Sequence, residues 1–391
     1  MPRVMPPAWS PVALRTLGSA VAGLARPGRA GADLAARLSA TFGATTVTGT
    51  DCGTTALRLA LAAARSGTRT AVALPAWGCF DLATAAAGAG VPVRLYDIDP
   101  ATLGPDWPSL ERAIAGGVAA VVVVHPFGLA VDVERARTLA RAGGAVLIED
   151  AAQGAGASLQ GRLVGSFGDW SVLSFGRGKG LTGGGGGALL ARGPVAERPV
   201  DAPAGGSLGV KSLLLLAAMV VASRPAVYGV LASLPFLGLG ETPYHPPHPP
   251  AGLPGPSAGA VLDTLTRLDR AAEARRALAE RLAARARALV SGSVPEVLAG
   301  SRPSYLRLPV VLPEGRSAGP AAARLGIMPG YPKALVDLEG FVARVENRAD
   351  DFPGARQLAR RLVTLPTHRW VGRGDELALE HWLEHTLGVT R

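Results

Sequence analysis

Between residues 45 and 192, short continuously apolar runs alternate with Ala/Leu-rich stretches of helical length, and few architectures accept that pattern. The apolar runs are 71–74, 91–96, 118–124, 145–148, 170–175 and 188–190; the helical stretches are 54–64, 82–89, 109–115 and 133–142. Strands that are apolar throughout, rather than on alternate residues, are covered on both faces. The expectation is therefore α/β: a mainly parallel central sheet flanked by helices, with ligands bound outside the carboxyl ends of its strands.

With 391 residues the chain has room for more than one domain. Residues 1–44 read as an N-terminal segment and 45–256 as a large domain. Residues 257–391 read as a connecting helix and a smaller C-terminal α/β domain. In that last part, 258–290 reads as one long arginine-dense helix, 305–312 as a strand, and 317–325, 354–362 and the stretch from 375 as helices. Residues 193–210 read as a loop, and the proline-dense 244–256 as an extended connector. The net charge of +10 comes almost wholly from arginine. It is read as a solvated surface and not as a nucleic-acid footprint. Two cysteines support neither a disulfide framework nor a four-cysteine zinc site, which fits a reducing cytoplasmic compartment.

The segment 212–240 is the most apolar, but Arg224 and Pro225 break it short of the ~20 residues of a spanning helix. It reads as a helical pair packed on the large domain or across a dimer. Peripheral membrane contact is the alternative, not favoured because Lys211 and Arg224 are its only cations.

Three features fall at strand ends. Gly53-Thr54-Thr55 opens an apolar helix, where free N–H groups attract an anion or are simply capped. Asp150 follows directly on a buried strand, where a carboxylate needs a partner. Lys179, one of three lysines, sits among glycines after the strand that ends at Ser174. The run Gly183–Gly187 lacks the phosphate-loop pattern and reads as tightly turned backbone. An anion cradle, a lysine and a carboxylate at one sheet edge are what pyridoxal phosphate requires: phosphate seat, Schiff-base lysine and partner for the pyridine nitrogen. Elsewhere His245 and His248 are read as non-metal residues. His125 is open between ligand contact and structural hydrogen bonding, and Arg177 is read as a surface cation.

The order of motifs resembles the DegT/StrS-type sugar aminotransferases, a branch of the fold type I pyridoxal-phosphate enzymes. The resemblance rests on GTTALRLAL (53–61), LPAW (74–77), VPVRLYDIDPATL (91–103), HPFG (125–128) with Asp132, IEDAAQGAGASLQGRLVGSFGD (148–169), SFGRGKGLTGGGGG (174–187) and FPGARQLARRLVTLPTH (352–368). It implies Lys179 as the Schiff-base lysine and proton shuttle, Asp150 on the pyridine nitrogen, and Gln153 beside the ring. It further implies Ser174, with Thr54 and Thr55, at the phosphate, and no metal. A lysine at 179, where dehydratase relatives carry histidine, favours transamination. The implied protein is a homodimeric aminotransferase moving an amino group from an amino acid, glutamate by analogy, to a keto-sugar or related carbonyl compound. The alternatives are another reaction type on the same cofactor, or a catalytically silent binding relative. This sequence departs from the family at Cys79, where an aromatic usually stacks on the cofactor and Trp77 or Phe80 are the substitutes. It departs also at Gly185, where glutamate is usual, and in 240–256, which lacks the usual asparagine loop.

Overall fold

The computed structural model describes residues 3–201, 203, 209–233 and 243–388. Part of the apolar segment, 234–240, and the first residues of the 240–256 stretch lie outside them. Two helices come first, α1 (Leu14–Ala25) and α2 (Pro27–Phe42), the second ended by Gly43 in the left-handed conformation. Then follow β1 (Thr46–Thr50), α3 (Gly53–Ala64), β2 (Val72–Pro75), α4 (Asp81–Ala89), β3 (Val93–Tyr96), α5 (Trp107–Ala115), β4 (Ala120–Val124), α6 (Val133–Ala142) and β5 (Val146–Asp150). Aspartates cap two of these helices: Asp106 accepts from the Ser109 N–H at α5, and Asp132 from the Arg135 N–H at α6. A small pair, β6 (Ser158–Leu159) and β7 (Arg162–Leu163), precedes β8 (Trp170–Ser174) and β9 (Gly187–Ala191).

The large sheet has the order β1-β9-β8-β5-β4-β2-β3. Strands β3, β2, β4, β5 and β8 pair in parallel, and β9 runs antiparallel between β8 and β1. Apolar side chains from both faces of this sheet and the helices over them form one core, including Trp170, Tyr96, Leu74 and Leu61. Burial of such a core supplies roughly 25 cal/mol per Å² of apolar surface.

The remaining elements are α7 (Val210–Ala222), α8 (Pro225–Ala232), α9 (Gly255–Leu265), α10 (Leu268–Leu289), β10 (Ser301–Arg302), β11 (Leu308–Val311), β12 (Met328–Pro329), α11 (Pro353–Arg361), β13 (Leu362–Leu365) and α12 (Arg373–Leu387). Strands β11, β13 and β12 make a three-stranded antiparallel sheet. The start of α11 docks on the large sheet: Asp97, just past β3, accepts from the N–H groups of Gly354 and Ala355, both at 2.8 Å. The first residues reach the opposite end of the sequence. Arg3 pairs with Asp375, the Met5 N–H donates to Arg324 O at 2.9 Å, and His368 Nε2 donates to Pro6 O at 2.7 Å.

Two expectations are corrected. The long helix expected over 258–290 is two helices, α9 and α10, with a break at Thr266–Arg267 where no glycine or proline announces it. The helix expected near 317–325 is only a 3-10 turn at Ala322–Leu325, closed by Gly326 at φ +73°.

Candidate active site

The carboxyl ends of β4, β5 and β8 and the amino end of α3 enclose a cavity of about 230 Å³. Val124, Asp150, Val172 and Ser174 come from the strands, Cys52, Gly53 and Thr54 from the start of α3, and Lys179 with Gly176 from the loop after β8. Five residues expected at the site, Lys179, Asp150, Gln153, Ser174 and Thr54, therefore share one cavity. Thr55 does not line it. Its side chain is buried beside Cys52, with Oγ1 3.4 Å from Sγ, because its N–H is capped by that sulfur.

Close packing joins the two ends of the cavity. A Cβ on Gly53 would stand 2.8 Å from Cβ of Ser174, so only glycine lets α3 approach β8 this closely. The lysine loop is fixed from outside, where the Gly178 N–H donates to Ser10 Oγ at 2.8 Å. Beyond it Gly184, Gly185 and Gly186 have φ of +70°, +145° and +100°, which accounts for the glycine run as turned backbone. Among the described residues Lys179 Nζ has no hydrogen bond or ion pair, and it faces the cavity with the Asp150 carboxylate.

Asp150 Oδ1 accepts from the Ala152 N–H at 2.9 Å, while Oδ2 has no partner among the described residues. Burial raises this carboxyl above its ordinary value; the Ala152 N–H and the Lys179 charge oppose the shift without cancelling it. Gln153 is held at both ends of its amide. Its Oε1 accepts from the Phe127 N–H at 2.8 Å and its Nε2 donates to Tyr331 Oη.

Three neighbours were not legible beforehand. Tyr331 arrives from the C-terminal part of the chain and packs against Trp77 and Phe127, with ring centres 5.2 and 6.0 Å away. Arg307 lies close enough to Tyr331 and Tyr228 to interact with both. Its Nε and Nη2 are enclosed without a hydrogen-bond partner, and burial pushes the guanidinium down to about 10. Asp81, at the start of α4, accepts from Cys79 Sγ at 3.4 Å and lines the cavity. Of Trp77, Cys79 and Phe80, only Cys79 lines it. Trp77 turns away to donate to Tyr331 O at 2.9 Å.

His125 is structural. Its Nδ1 accepts from the Val131 N–H at 3.2 Å, so Nε2 carries the proton, which it directs to Glu149 Oε1 at 3.1 Å. Glu149, fully enclosed beneath Asp150, also accepts from the N–H groups of Gly165, Phe167 and Gly168 and from the Ser171 hydroxyl. Burial alone would raise its carboxyl; His125 and the backbone donors overcome that and hold it at about 2. Its contribution is complete above the ordinary value of 4.5 and is lost as pH falls toward about 2. Glu149→Gln is expected to cost roughly 3–5 kcal/mol, because an amide turns a donor toward groups that already donate. Urea unfolding at neutral pH measures the loss, and a change below 1 kcal/mol would contradict it.

His248 is not an isolated connector residue. Its Nε2 lies 3.0 Å from Asp51 Oδ2 and 3.7 Å from Cys52 Sγ, and Arg58 donates to its backbone oxygen at 2.9 Å. Asp51 and Cys52 thus supply neighbours that linear spacing did not reveal.

The model of the DegT/DnrJ/EryC1/StrS aminotransferase family matches residues 18–200. An L-glutamine:2-deoxy-scyllo-inosose aminotransferase of Streptomyces kanamyceticus is 38% identical over 149 residues, 38% of this chain and 35% of that protein. A GDP-perosamine synthase of Caulobacter vibrioides is 36% identical over 137 residues, 35% of this chain and 37% of that protein. The matched stretch thus spans about a third of the length of these curated relatives. Among solved structures, DesV of S. venezuelae, determined with a ketimine intermediate, superposes with a TM-score of 0.75 at 20% identity over 100% of both chains. That likeness shows a shared fold over the whole chain. Residues 18–200, which carry every side chain lining the cavity, are thus the part of the chain that is similar to the DegT/DnrJ/EryC1/StrS aminotransferase family.

Proposed function

We propose that this chain is a pyridoxal-phosphate-dependent aminotransferase that moves an amino group from an amino acid, glutamate or its amide, to a keto-sugar. The observation that carries it is the meeting of Lys179 Nζ, the Asp150 carboxylate and the amino end of α3 in one cavity. The residues present fit the cofactor. Asp150 has an unpartnered oxygen in a buried position, which a protonated ring nitrogen would satisfy. The start of α3 and Ser174 offer the N–H and hydroxyl groups a phosphate needs.

Pyridoxal phosphate, when bound, supplies an electron sink for the pair left at a substrate α-carbon. The chain's own residues do the rest. Asp150 holds the proton on the ring nitrogen. Gly53, Thr54 and Ser174 would hold the phosphate at the start of α3. Lys179 Nζ is the covalent anchor and the base that takes and returns the α-proton. Gln153, held by Phe127 and Tyr331, limits the sideways movement of the ring. The inosose and GDP-perosamine relatives support a cyclic keto compound as acceptor. A homodimer in a reducing cytoplasmic compartment completes the proposal, the compartment supported by two free cysteines, Cys52 and Cys79.

The test is the donor half-reaction. Cofactor-loaded protein mixed with glutamate or glutamine, without acceptor, is expected to release one equivalent of keto acid per site while the cofactor absorption changes. A loaded protein that releases no keto acid from either donor would refute the transaminase reading.

A further inference from the structure

The described part of the apolar segment, α7 and α8, lies largely exposed. In α7 only Ser212 and Leu216 are buried, although Lys211 and Ser212 are the helix's only polar residues. Eight of the ten large hydrophobic side chains exposed among the described residues lie on α1, α7 and α8. They include Leu14 at 78%, Leu214 at 65%, Val221 at 53% and Val21 at 52% exposure. They form one patch because α1 and α7 lie side by side. Ala20 of α1, Leu216 of α7 and Ala260 of α9 make a small buried cluster, with Leu17 and Leu213 packed on it. A patch this concentrated marks a surface that something apolar covers.

The charge around it says what. The sequence has no Asp or Glu from 1 to 32 or from 202 to 240, while Arg15, Arg26, Arg29, Lys211 and Arg224 fall within those stretches. Arg15 is paired with Asp263 of α9 and Arg29 with Asp33; Lys211 and Arg224 have no ion-pair partner among the described residues. A second copy related by a two-fold axis would set this patch against itself, positive rim to positive rim, with no acid on the apolar helices to answer it. An anionic bilayer surface answers both features at once, apolar side chains into the acyl boundary and cations at the headgroups. No single helix among the described residues is long and apolar enough to cross a membrane, and α7 and α8 are bent by 108° to each other. That geometry suits a hairpin lying in the interface.

We infer that the α1–α7–α8 face docks on the surface of an anionic lipid bilayer. The hairpin also adjoins the catalytic loop. A Cβ on Gly184 would meet Leu216 at 2.7 Å, and Tyr228 of α8 lies within electrostatic reach of Arg177 and Arg307. Docking therefore sets the cavity mouth close to the lipid surface, where an amphiphilic acceptor would be presented. The inference rests on the surface alone and stands whichever reaction the cavity performs.

Flotation of the full chain with vesicles tests it. With equimolar phosphatidylglycerol and phosphatidylcholine the protein is expected to rise with the lipid, and with phosphatidylcholine alone at least tenfold less. The double variant Leu214→Asp/Val221→Asp is expected to lose binding at least tenfold. Lys211→Glu/Arg224→Glu is expected to lose the preference for anionic vesicles while keeping wild-type thermal unfolding. The inference is overturned if the wild type stays in the aqueous layer with anionic vesicles, or if the variants float as well as it does. It is also overturned if light scattering shows that Leu214→Asp/Val221→Asp merely turns a lipid-indifferent dimer into monomers, which would assign the face to a second copy.

Discussion

Lys179→Ala is expected to lower amino transfer by at least about 10⁴-fold, since the proposed function gives one side chain the work of both anchor and proton carrier. The cavity contains no other lysine to replace it; Lys211 and Lys333 are exposed elsewhere. The fold should not notice the change. Lys179 Nζ makes no hydrogen bond to a described residue, so thermal unfolding of the cofactor-free variant should match that of the wild type at acid pH, where the Asp150 carboxyl is protonated. Loss of the nearby positive charge should raise the Asp150 carboxyl further, because Lys179 now opposes that shift. Added methylamine should restore part of the proton transfer without restoring the anchor. Initial rates with and without the amine, read beside the unfolding curve, check the rate loss, the rescue and the unfolding. A variant within tenfold of wild type would remove Lys179 from the chemistry.

Asp150→Asn separates function from stability in opposite directions. The amide keeps the acceptor for the Ala152 N–H but cannot hold a proton on a ring nitrogen by charge. The rate should fall by about 10²–10³-fold, the usual cost of one preorganised electrostatic partner. The cofactor-free protein should become more stable. A carboxyl raised by burial is tolerated when protonated and penalised when charged. Wild-type apoprotein therefore loses stability as pH climbs from the ordinary carboxylate range through the raised value. Asparagine does not titrate and escapes that loss, so at neutral pH a Tm gain of about 2 °C is expected. Scanning calorimetry of both apoproteins at pH 4 and pH 7 checks it; a lower Tm for the variant at pH 7 would show that Asp150 stabilises the empty fold.

The central strands were legible because burial on both faces leaves continuous apolar runs, as in 118–124 and 145–148. Strand β1, TVTGT, was not: it sits at the sheet edge with partly exposed residues, so no apolar signal marks it. The break between α9 and α10 also left no trace, because Thr266 and Arg267 have no backbone peculiarity to advertise it. In the site, Asp150 and Ser174 end their strands and Lys179 lies in the loop just after β8, so all three could be placed by position. Tyr331 and Arg307 could not, since they arrive by packing from well over a hundred residues away. Thr55 failed for a local reason: at a helix start adjacent residues point in different directions, and its neighbour Thr54 took the cavity. The apolar segment was legible as helical but not in its exposure, which depends on what lies beside it. His125 was settled only by seeing both ring nitrogens.

The contacts of residues 3–10 bear on when the site comes into being. Ser10 steadies the lysine loop through Gly178, while Arg3, Met5 and Pro6 are pinned by Asp375, Arg324 and His368. During vectorial synthesis Arg3, Met5 and Pro6 must wait for residues 324–375 before they find their places. Contacts 362 and 372 positions apart close large loops and form late. A nascent chain can already carry Lys179, Asp150 and a formed central sheet while its lysine loop is still unmoored. Steadying of the Lys179 loop is thereby tied to synthesis of residues 324–375, and a product interrupted before them would hold Lys179 on a loop whose outer contact, Ser10, is itself unanchored.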